Sequence, residues 1–198
     1  MLTFIGTGAF IGIVVGIVVL LLIVMLISWF IKTFNKLVKS RNKVRNSFSQ
    51  IDVQLKRRFD MIPNLVETVK GYAKHEESIF GAFARARDVY ARASDTNEIK
   101  AISEANDMLT GAISRLIAVS EQYPELKANA NFTAMMNELT NTEDKIAYTR
   151  QFYNDVVTTY NNLRELFPGS IVANMFGFKE AELFKTDEAS RQNVKVQF

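Results

Sequence analysis

The sequence has no cysteine, only three prolines and a single histidine among 198 residues. Without thiols there can be no disulfide scaffold, zinc ribbon, iron–sulfur cluster or thiol catalysis. Charge is absent from residues 1–31, which are almost entirely apolar. The rest of the chain has the apolar fraction of an ordinary soluble domain, which argues against intrinsic disorder. The composition therefore indicates a membrane anchor followed by one domain.

The charge is unevenly distributed along the chain. Residues 1–58 hold nine basic side chains and one acidic side chain, whereas residues 59–198 hold fifteen basic and twenty acidic side chains. A nucleic-acid-binding protein more often spreads its basic surface across the folded domain. The pattern therefore favours a protein that is basic beside a membrane and binds no nucleic acid.

The N-terminal apolar segment is long enough to cross a bilayer. Phe10 to Ile31 contains 22 residues, of which only Ser28 is polar, and about 20 apolar residues in a helix cross the hydrocarbon core. A secretory signal would have a basic start, a shorter apolar run and a small-residue cleavage site. The segment 1–31 is therefore predicted to be a permanent transmembrane helix. Trp29 and Phe30 lie at its end, where aromatic rings prefer the interface.

The charges that flank this segment predict its orientation. Six basic residues follow it without an intervening acid, namely Lys32, Lys36, Lys39, Arg41, Lys43 and Arg45. Cationic flanks stay in the cytoplasm, so we expect the N-terminus outside the inner (cytoplasmic) membrane and the domain in the cytoplasm. These residues either contact anionic lipid headgroups or only set the topology, and the two interpretations are compatible.

Glycine recurs every fourth residue in the membrane segment, at Gly8, Gly12 and Gly16. These residues lie on one stripe of a helix and would let another helix backbone approach closely. Ordinary tolerance of glycine in membrane helices is the alternative interpretation. We favour helix–helix association, and hence a homo-oligomer.

Apolar periodicity predicts helices throughout the following domain. The first should continue from the span to about Ile62, before Pro63 begins or kinks a second helix that extends to Tyr90. Asp95 and Glu98 fit a capping box at the start of a third helix. The stripe of the first helix comprises Val44, Phe48, Ile51, Leu55, Phe59 and Ile62, and that of the third runs from Ile99 to Val119.

The fourth helix has the most regular pattern. Its apolar positions alternate steps of three and four residues from Phe132 to Phe167, a 3.5-residue repeat that is typical of long packed helices and coiled coils. Four such helices predict an all-α fold, a transmembrane helix followed by a long antiparallel four-helix bundle. We assign residues 32–45 to the basic start of the first helix, 46–178 to the bundle and 179–198 to a C-terminal tail.

Several motifs in the domain resemble one family. The segment Gln50 to Asp60, followed by Ile62 to Tyr72, looks like the core motif of the LemA family. Tyr123 to Lys127 resembles a second motif of that family. The C-terminal part of the chain resembles a third motif of that family, at Glu143, Lys145 to Ala147, Arg150 to Asn154, Tyr160 with Asn161, and Phe167 with Pro168. The resemblance covers residues 34–198 in order. It implies one N-terminal membrane helix, an antiparallel helical bundle and a bacterial envelope location; some relatives are associated with magnetosome membranes.

No arrangement of residues typical of an active site is found. His75 stands alone among Lys74, Glu76 and Glu77, and is interpreted as a solvated helix residue. There is no Gly-rich phosphate loop, nucleophile elbow or Glu-x-x-His pair. We therefore predict no catalytic, cofactor-binding or metal-binding residues, and no cofactor.

Polar residues inside the regular helices are the candidate interaction motif. They are Asp52, Arg57, Arg58, Asp60, Pro63 and Asn64 in the first helix and Tyr153, Asn154, Tyr160 and Asn161 in the fourth. A buried ion pair can fix register and partner choice. We expect the first helix to dock along the fourth, with one Asp/Arg pair meeting the Asn/Tyr edge. Exposed salt bridges are the alternative for Arg57 and Arg58.

The sequence thus predicts a non-enzymatic, self-associating scaffold that organises or shapes the bacterial membrane or its protein partners. A membrane-anchored sensor or adaptor that binds a peptide or signalling protein is the second hypothesis. An enzyme with a pocket around Asp52 and Arg58 is the third.

Overall fold

The computed structural model describes the backbone of residues 2–73, 76–96 and 98–184, and their side chains except those of residues 2–5 and 7. These residues form six helices and no strand. The helices are α1 (Leu2–Lys70), α2 (Glu77–Thr96), α3 (Ile99–Ser120), α4 (Pro124–Lys127), α5 (Ala130–Glu165) and α6 (Gly169–Met175). The predicted all-α class, with an N-terminal apolar helix and a helical bundle, is confirmed. His75 and residues 185–198 of the predicted C-terminal tail lie outside the described residues.

The chain divides into two compact units. The first contains the described part of residues 1–43 together with Thr159–Ala181. The second contains Val44–Thr158 together with the described residues from Glu182 onward. Both α1 and α5 contribute residues to each unit.

The second unit is the helical bundle, and its core is built from one apolar stripe of each long helix. The stripe predicted for α1 is buried at Ile51, Leu55, Phe59 and Ile62, and Phe48 is half-buried. Stacked rings of Phe59 and Tyr90, with centroids 4.1 Å apart, join α1 to α2. An edge-to-face contact of Phe48 with Tyr153 joins α1 to α5. Burial of these side chains is the main contribution that stabilises the bundle.

The helices α2 and α3 form a hairpin within the bundle. They pack against each other, and only two residues separate them, so they run antiparallel. The predicted capping box between them is wrong. Glu98 is the N-cap of α3 and makes no side-chain capping hydrogen bond. Tertiary packing of the apolar face, which includes the fully buried Ile102 and Leu109, holds the start of α3 without a cap.

Of the two alternatives for Pro63, the structure excludes the start of a new helix. Pro63 lies inside α1, which continues to Lys70. Proline removes one backbone donor and disturbs the turn before it. Beyond it, however, Leu65 and Val69 continue the stripe and are completely buried. The break falls instead after Lys70, where Gly71 begins a turn, so the predicted second helix is in fact the end of α1 plus α2.

The predicted fourth helix is present as α5, with 36 residues. Its repeat places Phe132, Leu139, Ile146 and Tyr153 in the core. Two positions depart from the predicted stripe. The predicted repeat includes Val156, but its neighbour Val157 is the fully buried residue, and Phe167 lies beyond the end of the helix with 80% of its surface exposed.

The first unit contains a short helix that the sequence pattern did not predict. After a cis peptide bond between Phe167 and Pro168, α6 begins at Gly169. A Cβ at Gly169 would lie 2.1 Å from the carbonyl oxygen of Leu163, so only glycine fits this approach. At the other end, Gly177 adopts a φ of 64°, and the amide of Phe178 bonds the carbonyl of Ala173. This is a Schellman termination.

Candidate interaction sites

Arg58 is a buried cation that connects three helices of the bundle. Its side chain is only 3% exposed. One guanidinium nitrogen donates to Asn106 Oδ1 of α3, and the other donates to Thr110 Oγ1 of α3 at 3.1 Å. The second nitrogen also pairs with Glu143 Oε2 of α5 at 2.5 Å. We call Arg58, Asn106, Thr110 and Glu143 the Arg58 cluster.

Burial of the Arg58 cluster affects the pKa of Arg58. Desolvation lowers the pKa of Arg58 from its usual value, and the carboxylates of Glu143 and Asp107 oppose that effect. A buried guanidinium persists because its fork geometry matches several acceptors at once. The cluster therefore joins α1, α3 and α5 through one side chain.

Arg57 and Asp52 form separate contacts beside the cluster. Arg57 pairs with Glu138 of α5 at 2.7 Å, but its side chain is 54% exposed. Asp52 accepts a hydrogen bond from the Tyr90 hydroxyl at 3.2 Å. Burial, with the charge of Asp52, raises the pKa of Tyr90, so this hydroxyl remains a donor. The other predicted motif residues of α1, namely Asp60, Pro63 and Asn64, lie on its exposed side.

In the second unit, Tyr153 and Asn154 bind the backbone of the C-terminal segment, which we define as Lys179–Phe184. The Tyr153 hydroxyl donates to the carbonyl of Glu182 at 2.8 Å. The Asn154 amide donates to the carbonyl of Phe184 at 3.1 Å and accepts from its N–H at 2.9 Å. Burial, with the charge of Glu182, raises the pKa of Tyr153 to about 12. One asparagine thereby satisfies both backbone groups of one residue, as a neighbouring β-strand would.

In the first unit, Tyr160 and Asn161 repeat this arrangement. The Tyr160 hydroxyl donates to the carbonyl of Lys179 at 2.7 Å. Asn161 donates to the carbonyl of Ala181 at 2.9 Å and accepts from its N–H at 3.0 Å. Burial raises the pKa of Tyr160 too, and the charges of Arg41 and Arg164 oppose that shift. We call Tyr153, Asn154, Tyr160 and Asn161 the Tyr–Asn edge.

The heptad spacing of the Tyr–Asn edge explains why the same contacts recur. Seven helical residues rise about 10 Å, and three extended residues cover about the same distance. Asn154 and Asn161 are seven residues apart, and the residues they bind, Phe184 and Ala181, are three apart. The expected meeting of an Asp/Arg pair with this edge is therefore corrected: Arg58 meets Glu143, whereas the edge binds the C-terminal segment.

The predicted membrane residues lie on the exposed surface of α1. A Cβ added at Gly8, Gly12 or Gly16 meets no atom within 4 Å. The six predicted lipid-contacting residues, Lys32, Lys36, Lys39, Arg41, Lys43 and Arg45, are also exposed. α1 is long and apolar enough to cross a membrane, with a mean hydropathy of 3.5 in its most apolar window.

Sequence reasoning identified the Tyr–Asn edge but missed its partner. The edge bonds main-chain atoms, and a main-chain partner leaves no recognisable pattern of residue types in the sequence. The heptad spacing of Tyr and Asn is therefore the only signal by which the sequence indicates this site. It also missed Asn106 and Tyr90, since a lone polar residue within an apolar stripe does not reveal its partner. Among residues 2–73, 76–96 and 98–184, no group of three or more histidine or acidic side chains is placed to hold a metal ion.

The fold and these sites define a class: a membrane-associated helical-bundle protein with an apolar N-terminal helix. Comparison with known proteins gives the family. The model of the LemA family matches residues 47–198, and the chain belongs to this family. The resemblance found in the motifs is thus confirmed.

Individual relatives agree with this assignment. Magnetosome proteins MamQ 2 and MamQ 1 of Paramagnetospirillum magneticum (strain AMB-1) are each 30% identical over 164 residues, which cover 71% of this chain. Protein LemA of Metamycoplasma hominis is 25% identical over 158 residues, 79% of this chain and 70% of its own length. The chain spans 60% of the length of the two MamQ relatives.

The burial of Arg58 predicts a large loss of stability when it is replaced, and the neighbouring Arg57 provides a control. Arg58→Ala leaves Asn106 and Glu143 without their cation, and we expect the free energy of unfolding to fall by about 3 kcal/mol. Arg57→Ala removes a mainly exposed pair with Glu138 and should cost less than about 1 kcal/mol. Chemical denaturation of the detergent-solubilised protein measures both values. Equal losses for the two variants would contradict a register role for Arg58.

The Tyr–Asn edge generates a proteolysis prediction. Asn161→Ala removes two hydrogen bonds to Ala181, worth roughly 2 kcal/mol together. Opening of the C-terminal segment should become more frequent, and trypsin should cleave after Lys179 on the order of tenfold faster. Asn162→Ala alters an exposed neighbour and should leave the rate unchanged. Mass spectrometry of the fragment that ends at Lys179 gives the rates. Identical rates for the two variants would show that the edge does not hold the segment.

Proposed function

We propose that the protein is a single-pass membrane protein that self-associates and acts as a non-enzymatic scaffold, organising or shaping the bacterial membrane or its partners. The observation that carries this proposal is the exposure of α1. The large apolar side chains from Phe10 to Ile27 are between 43% and 70% exposed. Lipid is the environment in which such a surface is stable.

The basic segment, Lys32 to Arg45, supports the proposed orientation. Its six cations are exposed, and the preceding residues carry no charge. Each cation near an anionic leaflet contributes about 1 kcal/mol of attraction. The N-terminus would therefore lie outside the inner membrane and the bundle in the cytoplasm, with the basic segment against anionic headgroups.

The glycine stripe, Gly8, Gly12 and Gly16, supports self-association. The open space around each glycine would allow a second α1 to approach and gain dispersion contacts. Relatives named as magnetosome proteins support a role in organising a membrane structure.

The polar sites of the bundle support a structural rather than a catalytic role. The two terminal guanidinium nitrogens of Arg58 bond side chains of α3 and α5, and the side-chain amides of Asn154 and Asn161 bond the C-terminal segment. We therefore assign no catalytic residue and no cofactor.

A sensor or adaptor is the second candidate, and one observation favours it. The hydrogen bonds of the Tyr–Asn edge to the C-terminal segment all go to backbone atoms, which is a mode that also recognises peptides. An adaptor would be a monomer or a small oligomer that retains a partner, whereas a scaffold would remain a large complex after gentle extraction.

Substitution in the glycine stripe tests the scaffold directly. We expect the extracted wild-type protein to form a complex of several copies. Gly12→Leu should weaken association on the order of tenfold because its side chain separates the helices. Val14 lies about 200° around the axis of α1 from Gly12, so Val14→Leu should leave the mass of the complex unchanged. Light scattering in detergent measures these masses; a monomeric wild-type protein would refute self-association.

A further inference from the structure

A second apolar element lies in the first unit, beyond the end of α5. Residues 166–178 carry no charged side chain, and this is the longest uncharged stretch after the N-terminal segment. It contains α6 and the turns on either side. Neither its length nor its period resembles a membrane-spanning helix.

Much of this stretch is exposed in the structure. Five large apolar side chains are about half exposed or more, and we call them the apolar foot: Leu166 (65% exposed), Phe167 (80%), Ile171 (48%), Met175 (65%) and Phe176 (51%). Exposed apolar residues scattered singly are normal, but a contiguous patch marks a surface that contacts a protein or a membrane.

The position of the apolar foot identifies its environment. The Phe176 ring contacts the rings of Phe30 and Phe34 of α1, with centroids 5.8 and 4.7 Å apart. Phe30 is the penultimate residue of the apolar run, and Lys32 is the first charged residue after it. Phe34 lies about one helical turn beyond Phe30, which is a rise of about 6 Å. This distance is the thickness of a headgroup layer. The foot is therefore at the depth of the membrane interface.

The charges of the first unit favour lipid over another protein surface. This unit contains seven basic residues and only two acidic ones, Glu165 and Glu180. Arg164 pairs with both acids, at 3.0 and 3.4 Å. Lys32, Lys36 and Lys39 remain exposed. A copy of the same unit would bring a second excess of positive charge, whereas an anionic leaflet is complementary to it.

We propose that the apolar foot inserts into the headgroup–acyl boundary of the leaflet on the basic side of α1, as a second membrane contact. This inference rests on the proposed membrane-spanning role of α1. Short apolar elements beside cations bind this boundary by burying a few side chains among the acyl chains. Such a contact restricts rotation of α1 about its own axis, because one side of the helix is held to the lipid surface.

Quenching by brominated lipids tests the insertion. The only tryptophan, Trp29, is replaced in Trp29→Phe, and one tryptophan is then introduced by Leu20→Trp, Phe167→Trp or Tyr148→Trp. Phe167 and Tyr148 are both highly exposed aromatic residues, at 80% and 72%, so neither substitution disturbs packing. The full chain is reconstituted in phosphatidylcholine–phosphatidylglycerol vesicles with bromines near the top of the acyl chain for positions 167 and 148, and near the end of the acyl chain for position 20.

The three tryptophan positions test insertion of the apolar foot separately from the membrane-spanning role of α1. We expect strong quenching at positions 20 and 167 and, for position 167, at least about twice the quenching found at position 148. Quenching at position 20 with position 167 equal to position 148 would overturn the foot and leave the membrane-spanning role intact. No quenching at position 20 would overturn both. Protection of position 167 by a second copy would also give low quenching and would refute lipid insertion.

Discussion

The removal of apolar surface from water is the constraint on which the structure depends, and α1 meets it in two different ways. From Phe10 to Ile27 its apolar side chains are exposed all round, so their burial requires lipid. In the bundle, Ile51, Leu55 and Phe59 are buried on one stripe by the other helices. Within one helix, therefore, an all-round apolar surface gives way to an amphipathic one, which is the change that the proposed passage from bilayer to water requires.

Polar contacts add specificity to this apolar framework. Apolar stripes with a 3.5-residue repeat can pack in several registers, but the Arg58 cluster has its acceptors at one register only. Breaking such a cluster is costly because the guanidinium and Asn106 are buried together. The Tyr–Asn edge acts differently: it bonds main-chain atoms of Glu182 and Phe184, so these hydrogen bonds do not depend on the side chains of the segment.

The parts of the fold that repeat could be predicted from the sequence, and those that depend on a single distant contact could not. The regular spacing from Phe132 to Phe167 predicted α5 to within two residues at each end. Pro63 left open whether one helix continues or a second begins; α1 continues because local propensity is a weaker term than burial of Leu65 and Val69. Glu98 matched a capping motif that the structure does not use.

The candidate sites show the same limit. Arg58 was identified as a residue of interest, but Asn106 and Glu143 could not be assigned to it, because their pairing depends on how three helices pack. Asn154 and Asn161 were placed on one edge of α5, yet their partner is backbone. Phe167 fitted the heptad pattern and proved exposed; its position follows from Gly169, which ends the pattern by allowing a close approach to Leu163.

The central claim is that α1 crosses the membrane with the bundle on its basic side. The absence of native cysteine makes this directly measurable with a membrane-impermeant maleimide on intact spheroplasts that express Gly6→Cys or Tyr148→Cys. The account predicts that position 6 is labelled in intact spheroplasts and position 148 only after permeabilisation. Labelling of position 148 in intact spheroplasts would contradict it.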